Sequence, residues 1–117
     1  MHTLVGIKLE LEGIHSWSGV VNTHYKDEVG FLQHPHRHIF HIECTKKVNH
    51  DDRDIEFIAF KHEIQNYLRS SYWSTFDSLH VFGDMSCEMI AKELLKEFDL
   101  ESCKVDEDGE NYAIVIK

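Results

Sequence analysis

From Thr3 to Glu12 the chain alternates, with Val5, Ile7, Leu9 and Leu11 on one side and Lys8, Glu10 and Glu12 on the other. A period of two predicts a strand with one buried face, because successive strand side chains point to opposite sides. His36 to Lys46 repeats the pattern, setting Phe40, Ile42 and Cys44 against Ile39, His41 and Glu43. Between these runs, Gly13 to Gln33 carries Gly, Ser, Asn and charges with only short apolar runs such as Val20-Val21. It reads as a loop or an irregular hairpin arm.

After a polar turn from Val48 to Asp52, the segment Asp54 to Phe57 could close a hairpin before a helix begins. Phe57, Phe60, Ile64, Tyr67 and Leu68 fall at helical spacing, opposite Lys61, Glu63, Gln65 and Arg69. Ser86 is a good N-cap for a second helix running to about Phe98, with Ile90, Ala91, Leu94, Leu95 and Phe98 on one stripe. Cys103 to Val105 and Tyr112 to Ile116 then alternate as two short strands around the turn Asp106-Glu107-Asp108-Gly109. The expected fold is α+β: an antiparallel four-stranded sheet with two helices on one face, in the order ββααββ and not as βαβ units.

With 117 residues the chain has room for one domain, residues 1–117, and its 42% apolar content and single proline point to an ordered globule. A formal charge of −9, from 12 Lys plus Arg against 21 Asp plus Glu, argues against nucleic acid or an anionic membrane as partner. Three cysteines without a CxxC pair do not form a disulfide framework, and the opening MHTLVGIKLE has charges where a signal peptide has an apolar core. The expected compartment is the cytoplasm. Ten histidines are many for this length.

The densest chemistry lies in His34-Pro35-His36-Arg37-His38-Ile39-Phe40-His41. Residues two apart on a strand share a face about 6.6 Å apart, so His36 and His38 can converge on one metal at about 2.0–2.1 Å. His15, at the end of the first alternating run, is placed to supply a third imidazole. Three neutral histidines leave a fourth position open, as in catalytic zinc sites. Spacing alone fits a solvated or pH-sensitive histidine patch equally well.

The motifs also resemble, in order across nearly the whole chain, the 6-pyruvoyl-tetrahydropterin and 6-carboxytetrahydropterin synthase family. Leu9 to His15 is similar to the family's strand ending in Ala-Ala-His, and His36-Arg37-His38-Ile39-Phe40 to its His-Gly-His motif; together these supply the family's zinc ligands. Ile55-Glu56-Phe57 resembles the Val-Asp-Phe that opens the first helix, and Met85 to Lys92 the Pro-Thr-x-Glu-x-x-Ala that opens the second. Cys103 to Glu107 resembles Val-x-Val-x-Glu, whose glutamate anchors the pterin ring, which makes Glu107 the candidate anchor. Without the resemblance, Glu107 is one acid among Asp106, Asp108 and Glu110 in a solvated turn. The resemblance implies the tunnelling fold, a Zn2+ held by His15, His36 and His38, a pterin or purine-like ligand, and a homo-oligomer with pockets between subunits.

Two departures stand out. Leu32 occupies the place of the family's cysteine base, and the family's Asp-His relay falls on Asp77-Ser78, keeping the acid and losing the histidine. Asp77 and His80, three residues apart, are the candidate substitute relay, with His34 and His41 as further possible bases. Cys44 shares the face of His38 but lies about 20 Å along the strand, and Cys87 and Cys103 read as packing residues. Arg37 is expected to add a cation beside the metal. Two functions follow: a divergent zinc-dependent lyase of the pterin synthase type, or a zinc-containing binding protein that has lost the proton relay.

Overall fold

A computed structural model describes all of residues 1–117. The two alternating runs are strands β1 (Thr3–His15) and β2 (His36–Val48). They pair antiparallel along their whole length, from Thr3 opposite Val48 to His15 opposite His36. Ladder pairing satisfies the backbone groups of Gly13 and Ile14, so β1 runs past the end of its alternation at Glu12 and reaches His15.

The connection between them is not a plain loop. It holds a 3-10 turn at Ser18–Asn22, the short helix α1 (Lys26–Val29) and a second 3-10 turn at Gly30–Gln33. Each piece is too short to show a period, but Val20 is fully buried beneath it and the Trp17 N–H donates to the Leu32 carbonyl at 2.7 Å. The excursion is thereby closed on itself.

Helix α2 (Phe57–Tyr72) buries Phe60, Ile64 and Leu68, and helix α3 (Cys87–Glu97) buries Cys87, Ile90, Ala91 and Leu94. Asp54 to Phe57 does not close a hairpin. Glu56 instead caps α2, its carboxylate accepting from Ile58 N at 2.8 Å and Ala59 N at 3.2 Å, and so satisfies donors that a helix start leaves free. Ser86 caps α3 through Met89 N at 3.2 Å.

The expected four-stranded antiparallel sheet with two helices is corrected to six strands and three helices. Besides β1 and β2, the sheet holds β3 (Trp73–Ser74), β4 (Leu79–Gly83), β5 (Ser102–Glu107) and β6 (Asn111–Ile116), in the order β3-β4-β1-β2-β5-β6. It is mixed, because β4 runs parallel to β1, with Gly13 opposite His80 and a register shift before His15 meets Gly83. β3 has two residues and β4 five, too few to carry a readable alternation, and only pairing with the distant β1 makes them strands. The class remains α+β.

The buried sheet residues Ile7, Leu9, Phe40, Ile42, Cys44, Cys103 and Val105 form one core with the inner faces of α2 and α3. All three cysteines are free and buried, and no helix is long and apolar enough to cross a membrane. At Gly13 the rings of Phe40 and Phe82, 5.2 Å apart, meet over the backbone. A Cβ there would sit 2.8 Å from Phe82 and 2.9 Å from Phe40, so the position admits only glycine without repacking. Gly13→Ala is therefore expected to cost about 1–3 kcal/mol in denaturant unfolding. Gly30→Ala, where nothing lies within 4 Å of the added carbon, is the control; equal midpoints for the two variants would refute the packing argument.

Candidate metal centre

The core stripe of β1 runs Ile7, Leu9, Leu11, Gly13, His15, and that of β2 runs Cys44, Ile42, Phe40, His38, His36. At one end of the pair the stripe changes from apolar side chains to imidazoles without changing face. The register sets His15 opposite His36 and Gly13 opposite His38, so the missing side chain at Gly13 leaves room beside the three rings. Their centroids lie 4.5 Å (His15–His36), 5.3 Å (His15–His38) and 5.1 Å (His36–His38) apart. One ring nitrogen from each lies within 4.8 Å of the others. Phe40 forms the floor, edge-on to His15 at 5.2 Å and to His38 at 5.7 Å.

Each ring has its other nitrogen engaged. Nδ1 of His15 meets the Met85 carbonyl at 2.8 Å, Nδ1 of His36 the His34 carbonyl at 2.8 Å, and Nδ1 of His38 the Asp108 carboxylate at 2.7 Å. These oxygens are acceptors only, so neutral His15 and His36 carry the proton on Nδ1 and leave Nε2 free, the arrangement that orients imidazoles toward a metal. His38 has a carboxylate at each nitrogen, Asp108 at Nδ1 and Glu107 at Nε2. Nε2 of His15 is buried without a hydrogen-bond partner, and buried Nε2 of His38 has only the Glu107 carboxylate against it. Burial is also the main influence holding the His15 pKa below its ordinary value, which favours the neutral ligand form. Asp108 sits in the left-handed region at φ 60 and uses its second oxygen on Ile39 N at 2.8 Å. The His38 bond first, and then the Ile39 bond, keep its carboxyl below the usual range.

A cleft of about 400 Å³ opens beside the rings, lined by His15, His36, Leu32, Cys87 and Glu107 among others. Glu107 Oε2 lies 2.9 Å from His38 Nε2 and Oε1 3.7 Å from His15 Nε2. The Cys87 thiol donates to Glu107 Oε1 at 3.3 Å. Burial, followed by the Glu107 charge, pushes that thiol well above its ordinary value, so it stays protonated. Asp84 accepts from Ser18 N at 2.8 Å and from the Ser18 hydroxyl, fastening the wall of the cleft to the end of β4.

Thus His15, His36, His38 and Glu107 come together as expected, and Leu32 lines the same cleft. Asp77 and His80 do not join them. Asp77 accepts from Ser74 Oγ at 2.7 Å in the β3–β4 turn, and His80 turns Nδ1 to the Glu12 carbonyl at 3.3 Å in a separate cleft against α2. Arg37 is on the opposite face of β2, two-thirds exposed, and pairs with Glu12 at 3.1 Å; it adds no cation beside the rings. His41 shares that outer face with Glu10, 3.5 Å away. Cys87 was missed as a site residue because its spacing in α3 marks only a packing position. Asp108 was missed because one acid in an acidic turn carries no signal, and the Met85 carbonyl because a backbone group has no residue type.

No family model matches the chain, and no curated protein matches it. Among solved structures, the crystal structure of an uncharacterized protein from Wolinella succinogenes is similar, with a TM-score of 0.67 at 13% identity over 100% of this chain and 99% of that one. The likeness is one of fold.

Because native His15 takes up a proton less readily than the unfolded chain, whose value is near 6.5, it costs stability as pH falls through that value toward the lowered native one. Above it the penalty is absent. In the metal-free protein, thermal midpoints should therefore drop as pH falls below about 6.5, and His15→Gln should flatten that drop. An unchanged slope in the variant would exclude His15 as its source.

Proposed function

We propose that this protein holds one Zn2+ through His15, His36 and His38 and binds a pterin or purine-like ring in the adjoining cleft, as a divergent relative of the pterin synthases. The observation that carries the reading is the set of Nδ1 bonds to Met85, His34 and Asp108, which turns three Nε2 lone pairs toward one another. Buried nitrogens without partners cost free energy unless something accepts their electrons. Neutral imidazoles suit zinc, and when bound the ion supplies Lewis-acid polarisation of a ligand oxygen. Glu107 offers two carboxylate oxygens to parallel N–H donors of a ring, and a cleft of about 400 Å³ suits a ligand of that size.

Binding is favoured over turnover. Leu32 and Ser78 bear no group suited to the family's base and relay, and Asp77 and His80 lie away from the cleft. A zinc-dependent lyase is the second reading, but the Cys87 thiol that lines the cleft stays protonated and so supplies no base. Three free cysteines support a cytoplasmic setting. The exposed Tyr112, Ile114 and Ile116 on edge strand β6 support a homo-oligomer, which light scattering would test.

Protein purified without a histidine tag should contain about one zinc per chain by elemental analysis, as a three-histidine site takes one ion. His36→Ala and His38→Ala should lose it. In calorimetry, Glu107→Gln should weaken pterin or guanine binding by about 1–3 kcal/mol, because an amide donor then faces a ring donor. A zinc content near zero that added zinc cannot restore would remove the metal, and absence of binding by either ring would remove the ligand.

A further inference from the structure

We propose that Glu107 works as a movable fourth ligand: with the cleft empty its carboxylate completes the coordination of the metal held by His15, His36 and His38, and an incoming ring draws it away. The inference rests on the metal reading above and deepens it.

At Zn–N distances of about 2.0–2.1 Å, tetrahedral ligand atoms stand about 3.3 Å apart. The Glu107 oxygens lie 2.9 Å from His38 Nε2 and 3.7 Å from His15 Nε2, on either side of that separation. Nδ1 of His38 faces the Asp108 carboxylate at 2.7 Å, so the nitrogen that meets Glu107 is Nε2, the one turned toward the other two histidines. A proton on Nε2 or a metal ion between the two atoms makes this contact favourable, and a bound ion would take the proton's place. The carboxylate thus stands within reach of a fourth ligand position, with a charge that suits a divalent ion.

The local structure also gives Glu107 somewhere to go. It is the last residue of β5, opposite Phe40, and its side chain is one-third exposed. Asp108, the next residue, is fixed by His38 and Ile39, so the backbone is held while the Glu107 side chain keeps its rotamers. The only hydrogen bond directing the carboxylate inward is the Cys87 thiol, a weak donor. A ring with two parallel N–H groups offers stronger partners. Ring binding and opening of the metal's fourth position would then be one coupled event, and small anions would be kept off the metal until the ring arrives.

Cobalt(II) reports this directly. Loaded in place of zinc, it is titrated with azide while its visible bands are followed in the wild type, Glu107→Ala and Glu107→Gln, with circular dichroism confirming that each variant folds. Azide is expected to bind Glu107→Ala at least tenfold more tightly than the wild type, with Glu107→Gln between them. Equal azide affinity in the wild type and both variants would overturn the fourth-ligand proposal and leave the three-histidine site standing. Failure of the folded wild type to bind cobalt would overturn both.

Discussion

Antiparallel pairing of β1 with β2 carries the rest of the structure. The ladder fixes which residues face the helices, and the same choice of face brings His15 against His36. A slip of one residue would turn every side chain of a strand to the other side, sending its imidazoles to solvent along with its core residues. Burial of Ile7 and Leu9 against Phe40 and Ile42 opposes such a slip, each buried apolar side chain contributing about 1.5–3 kcal/mol. The forces that build the core therefore also aim the histidines.

Around this pair the other elements act as braces. The β5–β6 turn supplies Glu107 and Asp108, which approach His38 from its two ring nitrogens. The β4–α3 junction supplies the Met85 carbonyl behind His15 and brings Cys87 to the cleft. His36 depends on its own strand's approach, through the carbonyl of His34. Each imidazole is thus oriented by a different part of the chain, and no single loop could misplace all three.

What could be read in advance follows from how local each feature is. His36 and His38 were legible because two residues of separation on a strand is itself a geometry. His15 required the further assumption that the first two strands pair, which their matching alternation supported. Helices α2 and α3 were legible from apolar stripes sustained over several turns. Strands β3 and β4 were not, since a two-residue strand has no period and β4 owes its strand character to the parallel partnership with β1. Arg37 shows the same limit at a single residue: placed between two inward histidines, it points outward by alternation. Asp77 and His80 are close in sequence, yet Ser74 engages one and the Glu12 carbonyl the other, a difference set by the turn between β3 and β4.

The histidines occupy the final rungs of the core stripes, where simple continuation of the pattern would place leucine or valine. Apolar residues there would lengthen the core, bury more surface and remove the partnerless His15 nitrogen from the interior. The centre is therefore a region where the fold has forgone stability it could have had. Greasier side chains at His15, His36 and His38 would make a sturdier fold with no centre, so folding alone does not account for three imidazoles on these rungs.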